Sequence, residues 1–309
     1  MKVRIGARGS RLALVQAEAV ATGLRARGAV VEIISIRTSG DQLAQVALAD
    51  FGGKAMFIKE VEDALLAGHV DVAVHSLKDM PAALPPGLIL AVFPRRQDPS
   101  DVLVTRDGRG LDDLPAGARV GTSSLRRRVQ LMRLRPDLRD EPIRGNVDTR
   151  LQKLAEGRYD ALVLARAGLL RLGITPRGMV RLPVDTFLPA AGQGILGVEA
   201  RAGEAPLLEL LATLDHTETR IQAEAERAFL RRLGAGCHTP VAGFARLDGP
   251  ALSVAGFVAS ADGATVLTAA VSGAPSAARS LGTKLADELL ARGAGALLIA
   301  DGTSREGER

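Results

Sequence analysis

The residues of this sequence best suited to chemistry form a cationic set, one carboxylate and one thiol. The cationic set comprises Arg126 and Arg127 after the Thr122-Ser123-Ser124 run of VGTSSLRRR, Arg144 in EPIRGN, Arg150 a little further on, Arg8 after VRIGA, and Lys78 after DVAVHS. Arginine grips carboxylates and phosphates through two parallel hydrogen bonds, and a helix N-terminus adds free N–H groups and a positive dipole end. Such a set suits a ligand bearing several anionic groups. The carboxylate is Asp79, which HSLKDMP places between Lys78 and Met80-Pro81. Surrounding positive charge keeps a lone carboxylate ionised, and an ionised carboxylate can stabilise a cation. The thiol is Cys237 in LGAGCHTP, the one cysteine of the chain. A cysteine on a glycine-rich turn fits a buried structural thiol, a nucleophile or a covalent attachment point. No Cys-His-Asn arrangement accompanies it, which disfavours protease-like chemistry.

Composition narrows the classes. A chain of 309 residues with 47% hydrophobic content can bury a large core and divides into two or three domains. One cysteine excludes an internal disulfide and a multi-cysteine zinc site, and His69, His75, His216 and His238 lack paired ligand spacing, so no metal is expected. No apolar run approaches the roughly 18 residues of a membrane span, and MKVRIGARGS alternates like a first strand instead of a signal peptide, so a cytoplasmic address is expected. The net charge of +5 is compatible with nucleic acid, but aromatics make up only 3% of the chain and the arginines are spread along its length. Neither a nucleic-acid nor a membrane partner is expected.

Strands alternate with helices over the first two thirds, which predicts an α/β fold with largely parallel sheets. VRIGA reads as a strand and Ser10 starts a helix through about Arg27; VVEIISIR is the next strand, FIKEVEDALLAG a helix ending at Gly68, and DVAVHS a strand running into a polar turn. The scheme recurs in ARVGTS and its helix, EPIRGN and a helix through Ala155, and DALVLA and a helix ending at Gly173. The basic residues thus fall where strands end and helices begin, the crevice that binds ligands in open α/β sheets. GQGILG, Gly192 to Gly197, matches the GxGxxG fingerprint by accident, since it follows Pro189 and leads into the strand-like GVEAR. A helix from about Glu218 to Leu233 opens a smaller α+β unit. Its strands are VAGFARL, LSVAGFVA and TVLTAAV, with Asp248-Gly249 and Asp262-Gly263 as tight-turn signals for antiparallel pairing, followed by a helix from Ser276 to Arg292 and ALLIA.

GGKAMFIKE, VHSLKDMP, VGTSSLRRR, RGNVDTRLQKL, LARAGLLRLG, LPAAGQGILGVE and GAGCHTPV occur in that order across nearly the whole chain. Together they resemble the hydroxymethylbilane synthase, or porphobilinogen deaminase, family. The resemblance implies two periplasmic-binding-protein-like lobes around a central cleft, residues 1–95 with 195–213 and residues 100–190, and a C-terminal cofactor-attachment domain over 217–309. It implies a monomeric transferase of porphyrin synthesis. Four porphobilinogen molecules would condense head to tail on a dipyrromethane held to Cys237 by a thioether, releasing ammonia and then, by hydrolysis, hydroxymethylbilane.

Residue by residue, the resemblance assigns Asp79 and Lys78 to catalysis and, with Cys237, to the cofactor. Thr122, Ser123, Ser124, Arg126, Arg127, Arg144 and Gly145 join them on the cofactor. Arg8, Ser10, Gln16, Lys54, Phe57, Ser76, Arg144, Arg150, Ala165, Arg171 and Gln193 go to the substrate. TSGDQLAQVALADFGGKAMF resembles the family's mobile active-site loop, Gly52-Gly53 lending flexibility. Asp50 stands where relatives often place lysine, and Ala235 where glycine is frequent. Porphobilinogen carries an acetate and a propionate, so a growing chain accumulates carboxylates and needs a basic cleft. Arg126 and Arg127 are expected to clamp those carboxylates, and leucine at either position to leave folding nearly intact. Two rivals remain on the residues alone: a two-lobed binding protein or sensor, which needs neither Asp79 nor Cys237, and a basic nucleic-acid binder.

Overall fold

The computed structural model describes residues 1–36, 56–235 and 239–299. Its strands in chain order are β1 (Lys2–Arg8), β2 (Val30–Ile36), β3 (Val72–Ser76), β4 (Leu88–Val92), β5 (Asp101–Thr105), β6 (Arg119–Gly121), β7 (Arg139–Glu141), β8 (Ala161–Ala165), β9 (Met179–Arg181), β10 (Leu196–Arg201), β11 (Val241–Asp248), β12 (Ala251–Ala259) and β13 (Val266–Gly273). They form a five-stranded sheet of order β2-β1-β3-β10-β4, a second of order β7-β6-β8-β5-β9, and a three-stranded sheet β11-β12-β13. The fold is α/β in two sheet-rich lobes, with a smaller α+β unit behind them.

Both large sheets are mixed, which corrects the expectation of largely parallel sheets. In the first, β1 pairs parallel with β2 and β3, but β10 runs antiparallel to β3 and β4. In the second, β6 pairs parallel with β7 and β8, while β5 runs antiparallel to β8 and β9. The chain reaches β5 and β10 through crossover segments between the lobes, 93–100 and 182–195, and so enters each sheet against the local direction.

Each large sheet is covered on both faces. Alternate residues Val3, Ile5 and Ala7 of β1, Val72 and Val74 of β3, and Val198 and Ala200 of β10 pack with Ala17, Val20 and Leu24 of helix Arg11–Arg25. The opposite face, represented by Ala73, takes Val61 and Leu65 of helix Met56–Leu66. In the second sheet Leu103 and Val163 pack with Leu131 of helix Leu125–Leu134, and Val102, Val104, Leu162 and Leu164 pack with Leu154 and Leu169 of helices Val147–Ala155 and Arg166–Arg171.

In the third unit, helix Thr217–Leu233 ends at Gly234 in the left-handed region, φ 65°. Its fully buried Phe229 seats against the β sheet at Gly256, where a Cβ would come within 2.9 Å of the ring. Helix Ala278–Ala291 packs beside it, and the first four residues of ALLIA belong to a short helix, Ala294–Ile299. No described helix is long and apolar enough to cross a membrane.

Candidate active site between the lobes

The helix starts at the cleft are capped as their sequences require. Ser10 accepts from the Ala13 N–H at 3.3 Å, Ser124 from the Arg127 N–H at 3.5 Å, and Asn146 from the Thr149 N–H at 3.0 Å. β3 ends in a single helical turn, Leu77–Asp79, which presents Lys78 and Asp79, both half-buried. Crossover 182–195 runs tightly over this turn. Gly192 sits at φ 77°, and any Cβ there would lie 2.9 Å from the Lys78 backbone nitrogen, while Leu77 N–H donates to the Ile195 carbonyl at 3.0 Å.

A buried polar chain leads from this turn into the second lobe. Lys78 Nζ donates to Gln193 Oε1 at 3.2 Å, and Gln193 Nε2 donates to Asp101 Oδ1 at 3.0 Å and to the Pro99 carbonyl at 2.7 Å. Asp101, fully buried at the head of β5, also accepts from Arg126 Nη2 at 2.8 Å and from Arg127 Nε and Nη2 at 3.1 and 2.8 Å. Burial alone would raise its carboxyl, but Arg126 and Arg127 outweigh burial and hold it well below the usual carboxylate range. The two arginines donate further to the Leu188 and Val163 carbonyls. They are therefore interior groups at 4% and 7% exposure, with their charge shared on one carboxylate. Their burial predicts a loss of stability for leucine at either position, against the expectation that folding stays nearly intact.

Arg150 and Arg171 are placed differently. Arg150 Nε donates to the Gly145 carbonyl at 2.8 Å and Arg171 Nη2 to the Gly194 carbonyl at 2.7 Å, and neither has a carboxylate partner among the described residues. Burial pushes both guanidinium groups down to about 10, with the neighbouring Arg127 charge adding to the effect on Arg150. Two half-buried cations with no carboxylate partner among the described residues fit a ligand that brings carboxylates.

The other residues expected at the site are dispersed along the same edges. Arg8 is half-buried at the end of β1; Gln16 is buried and donates to Ser76 Oγ at 2.8 Å. Thr122 is buried, and Ser123 Oγ donates to the Ile143 carbonyl at 2.7 Å and accepts from its N–H at 3.0 Å, fixing the loop before Arg144. Arg144 and Gly145 are exposed, and Ala165 is half-buried before helix Arg166–Arg171. Lys54 and Cys237 lie outside the described residues, as does the side chain of Phe57.

Three features escaped the sequence reading. Asp101 in DPSDVLV is one, although a charge opening an otherwise apolar strand is a signal of a buried partner. Glu226, fully buried on helix Thr217–Leu233, accepts from Arg96 at 2.7 Å, from Gly192 N–H at 2.5 Å and from Ala245 N–H at 2.8 Å. Arg96 also donates to the Gln193 carbonyl at 3.0 Å, so this carboxylate ties the third unit to both crossovers. Finally, His75 Nε2 lies 3.0 Å from Glu199 Oε2 next to the Leu77–Asp79 turn, and Glu62 on helix Met56–Leu66 is raised to about 7 by burial and by the Glu199 charge.

The chain matches two family models: porphobilinogen deaminase, dipyromethane cofactor binding domain, over residues 3–209, and porphobilinogen deaminase, C-terminal domain, over residues 220–291. Porphobilinogen deaminase of Desulforudis audaxviator is 51% identical over 299 residues, covering 96% of this chain and 97% of the relative. Its namesakes from Roseiflexus castenholzii and Syntrophobacter fumaroxidans are 51% and 49% identical, over 95% and 96% of this chain and 97% and 96% of their own lengths. Among solved structures, the methionine binding protein MetQ matches 69% of this chain and 89% of its own at 12% identity, with a TM-score of 0.44. With both models in chain order and about half of its residues shared with full-length relatives, the chain belongs to the porphobilinogen deaminase family, transferases of tetrapyrrole synthesis that carry a dipyrromethane cofactor.

Proposed function

We propose that the cleft between the two large sheets is where porphobilinogen is condensed, four units per product, and that hydroxymethylbilane leaves it by hydrolysis. The observation that carries this is the cationic surplus of the cleft: Arg126 and Arg127 share one carboxylate, and the half-buried Arg150 and Arg171 have only carbonyl partners among the described residues. A ligand whose every ring adds two carboxylates supplies the missing charge.

The same surplus fits the family's cofactor. Lys78, Thr122, Ser123, Ser124, Arg126, Arg127, Arg144 and Gly145 would hold it, with Cys237 as the thioether anchor. Bound there, dipyrromethane supplies the nucleophilic pyrrole carbon on which the chain is built. Arg126 and Arg127 act on it chiefly as a buried positive field under loop 122–124, since their N–H groups already serve Asp101 and two carbonyls.

Asp79 is the general acid–base group. Loss of ammonia leaves positive charge on the substrate ring, and a carboxylate beside the ring N–H stabilises that charge and takes the proton from the attacked carbon. Lys78, fixed by Gln193, sets the potential around it. Arg8, Ser10, Gln16, Ser76, Arg150, Ala165, Arg171 and Gln193 line the substrate side, with Lys54 and Phe57 contributed by the segment before and at the start of helix Met56–Leu66. Lobes over 1–95 with 195–213 and over 100–190, a unit over 217–309 presenting Cys237, and a cytoplasmic monomer complete the reading.

The test is extension under limiting substrate. The wild type should accumulate enzyme-bound chains in steps of one pyrrole, and Arg150→Leu and Arg171→Leu should stall that ladder while remaining folded. Unchanged ladders in both variants would overturn the assignment of these arginines to substrate.

A further inference from the structure

Arg11 and Asp148 join the lobes directly. Arg11 Nη1 donates to Asp148 Oδ1 at 2.9 Å, between residues 137 positions apart in the chain, with the side chains 58% and 42% exposed. Arg11 is the first residue of helix Arg11–Arg25, immediately after Ser10, and Asp148 lies in the first turn of helix Val147–Ala155, two residues before Arg150. Asp148 suits the positive end of its own helix, whereas Arg11 opposes the dipole of its helix, whose first turn has no acidic residue. Arg11 thus finds its counter-charge across the cleft instead of locally. Beside it the lobes touch without interlocking: a Cβ added at Gly168 would stand 3.7 Å from Leu12 Cδ2, ordinary van der Waals distance.

We propose that Arg11 and Asp148 are positioning residues, an ionic latch that sets the spacing between the anion-binding edge at residues 8–10 and that at residues 144–150. The inference rests on the cleft being the site of condensation. An exposed ion pair biases an equilibrium by a factor of up to about five, so the latch aligns the two edges and still yields as the enclosed chain lengthens. Salt weakens it, because at about 1 M the screening length is roughly 3 Å.

The test uses the cofactor-loaded enzyme in a double-mutant cycle: Arg11→Ala, Asp148→Ala, both together, and the exchange Arg11→Asp with Asp148→Arg. The exchange swaps the two dipole contributions and leaves net charge unaltered. KM for porphobilinogen is measured beside the spin–spin distance between nitroxide labels on Glu32→Cys and Glu156→Cys, exposed positions on opposite lobes. Each single alanine should raise KM about two- to fivefold, leave kcat within about twofold and broaden the distance distribution. The second alanine should add nothing, and the exchange should restore both readouts. Molar salt should broaden the wild-type distribution in the same way. Additive KM effects, an exchange that fails to restore, or a distribution indifferent to the alanines and to salt would overturn the latch. The distance measurement needs no turnover, so a wild type that fails to consume porphobilinogen would sink the functional reading while the latch is still judged on its own.

Discussion

Lys78 and Asp101 hold opposite ends of one side-chain amide: Gln193 accepts from the lysine at 3.2 Å and donates to the carboxylate at 3.0 Å. The Leu77–Asp79 turn of one lobe is thereby tied to the charge centre of the other. Gln193→Met keeps the volume and removes both bonds. Hydrogen bonds to charged groups contribute about 1.5–3 kcal/mol, so turnover should fall about ten- to a hundredfold. Steady-state rates check this, and an unimpaired Gln193→Met enzyme would contradict the link.

Asp101 is the shared counter-charge of two interior arginines, and removing it leaves both of them buried without a carboxylate. Breaking a buried pair costs about 3–5 kcal/mol, so Asp101→Ala should lower the unfolding free energy by at least that order, and Arg126→Leu by less, because Asp101 keeps Arg127. Urea unfolding followed by circular dichroism measures it. A loss below about 1 kcal/mol in Asp101→Ala would contradict its role as the shared counter-charge of these arginines.

Asp79 is half-buried in the single turn Leu77–Asp79. Asp79→Asn should retain the fold and lose about 10²- to 10⁴-fold in kcat, the range for a positioned acid–base group. Product formation at the wild-type rate would remove Asp79 from the proton transfers.

Glu62 should impose a pH dependence on stability. Burial, the Glu199 charge and the Asp63 charge raise it from 4.5 to about 7 in the folded chain, so the folded state retains a proton that the unfolded state releases. Its favourable contribution is complete below about 4.5 and is lost as pH rises through about 7. Glu62→Gln mimics the protonated form and should match wild-type stability at pH 5 while exceeding it at pH 8. Melting temperatures at the two pH values decide it; parallel shifts at both would contradict the assignment.

Helix starts were legible because their signals are local: Ser10, Ser124 and Asn146 cap the helices they precede. The direction of β5 and β10 was not, since alternation of apolar residues is the same whichever way a strand runs. Asp101 was missed for a related reason. Nothing in its immediate sequence supplies its partners, and only the arrival of Arg126, Arg127 and Gln193 from elsewhere makes it an interior anion. Arg126 and Arg127 carried the right charge in the right place, but periodicity could not show that helix Leu125–Leu134 turns them inward.

The central claim is a pyrrole chain grown while covalently attached through Cys237, and intact-protein mass after denaturation tests it most directly. Protein purified from cells able to make porphobilinogen should carry the mass of two linked pyrrole units above that of its sequence. Porphobilinogen should add further increments of one unit, and Cys237→Ala should show neither adduct nor turnover. A wild-type chain that shows only its bare mass, and stays bare and inactive when given porphobilinogen, would contradict the account.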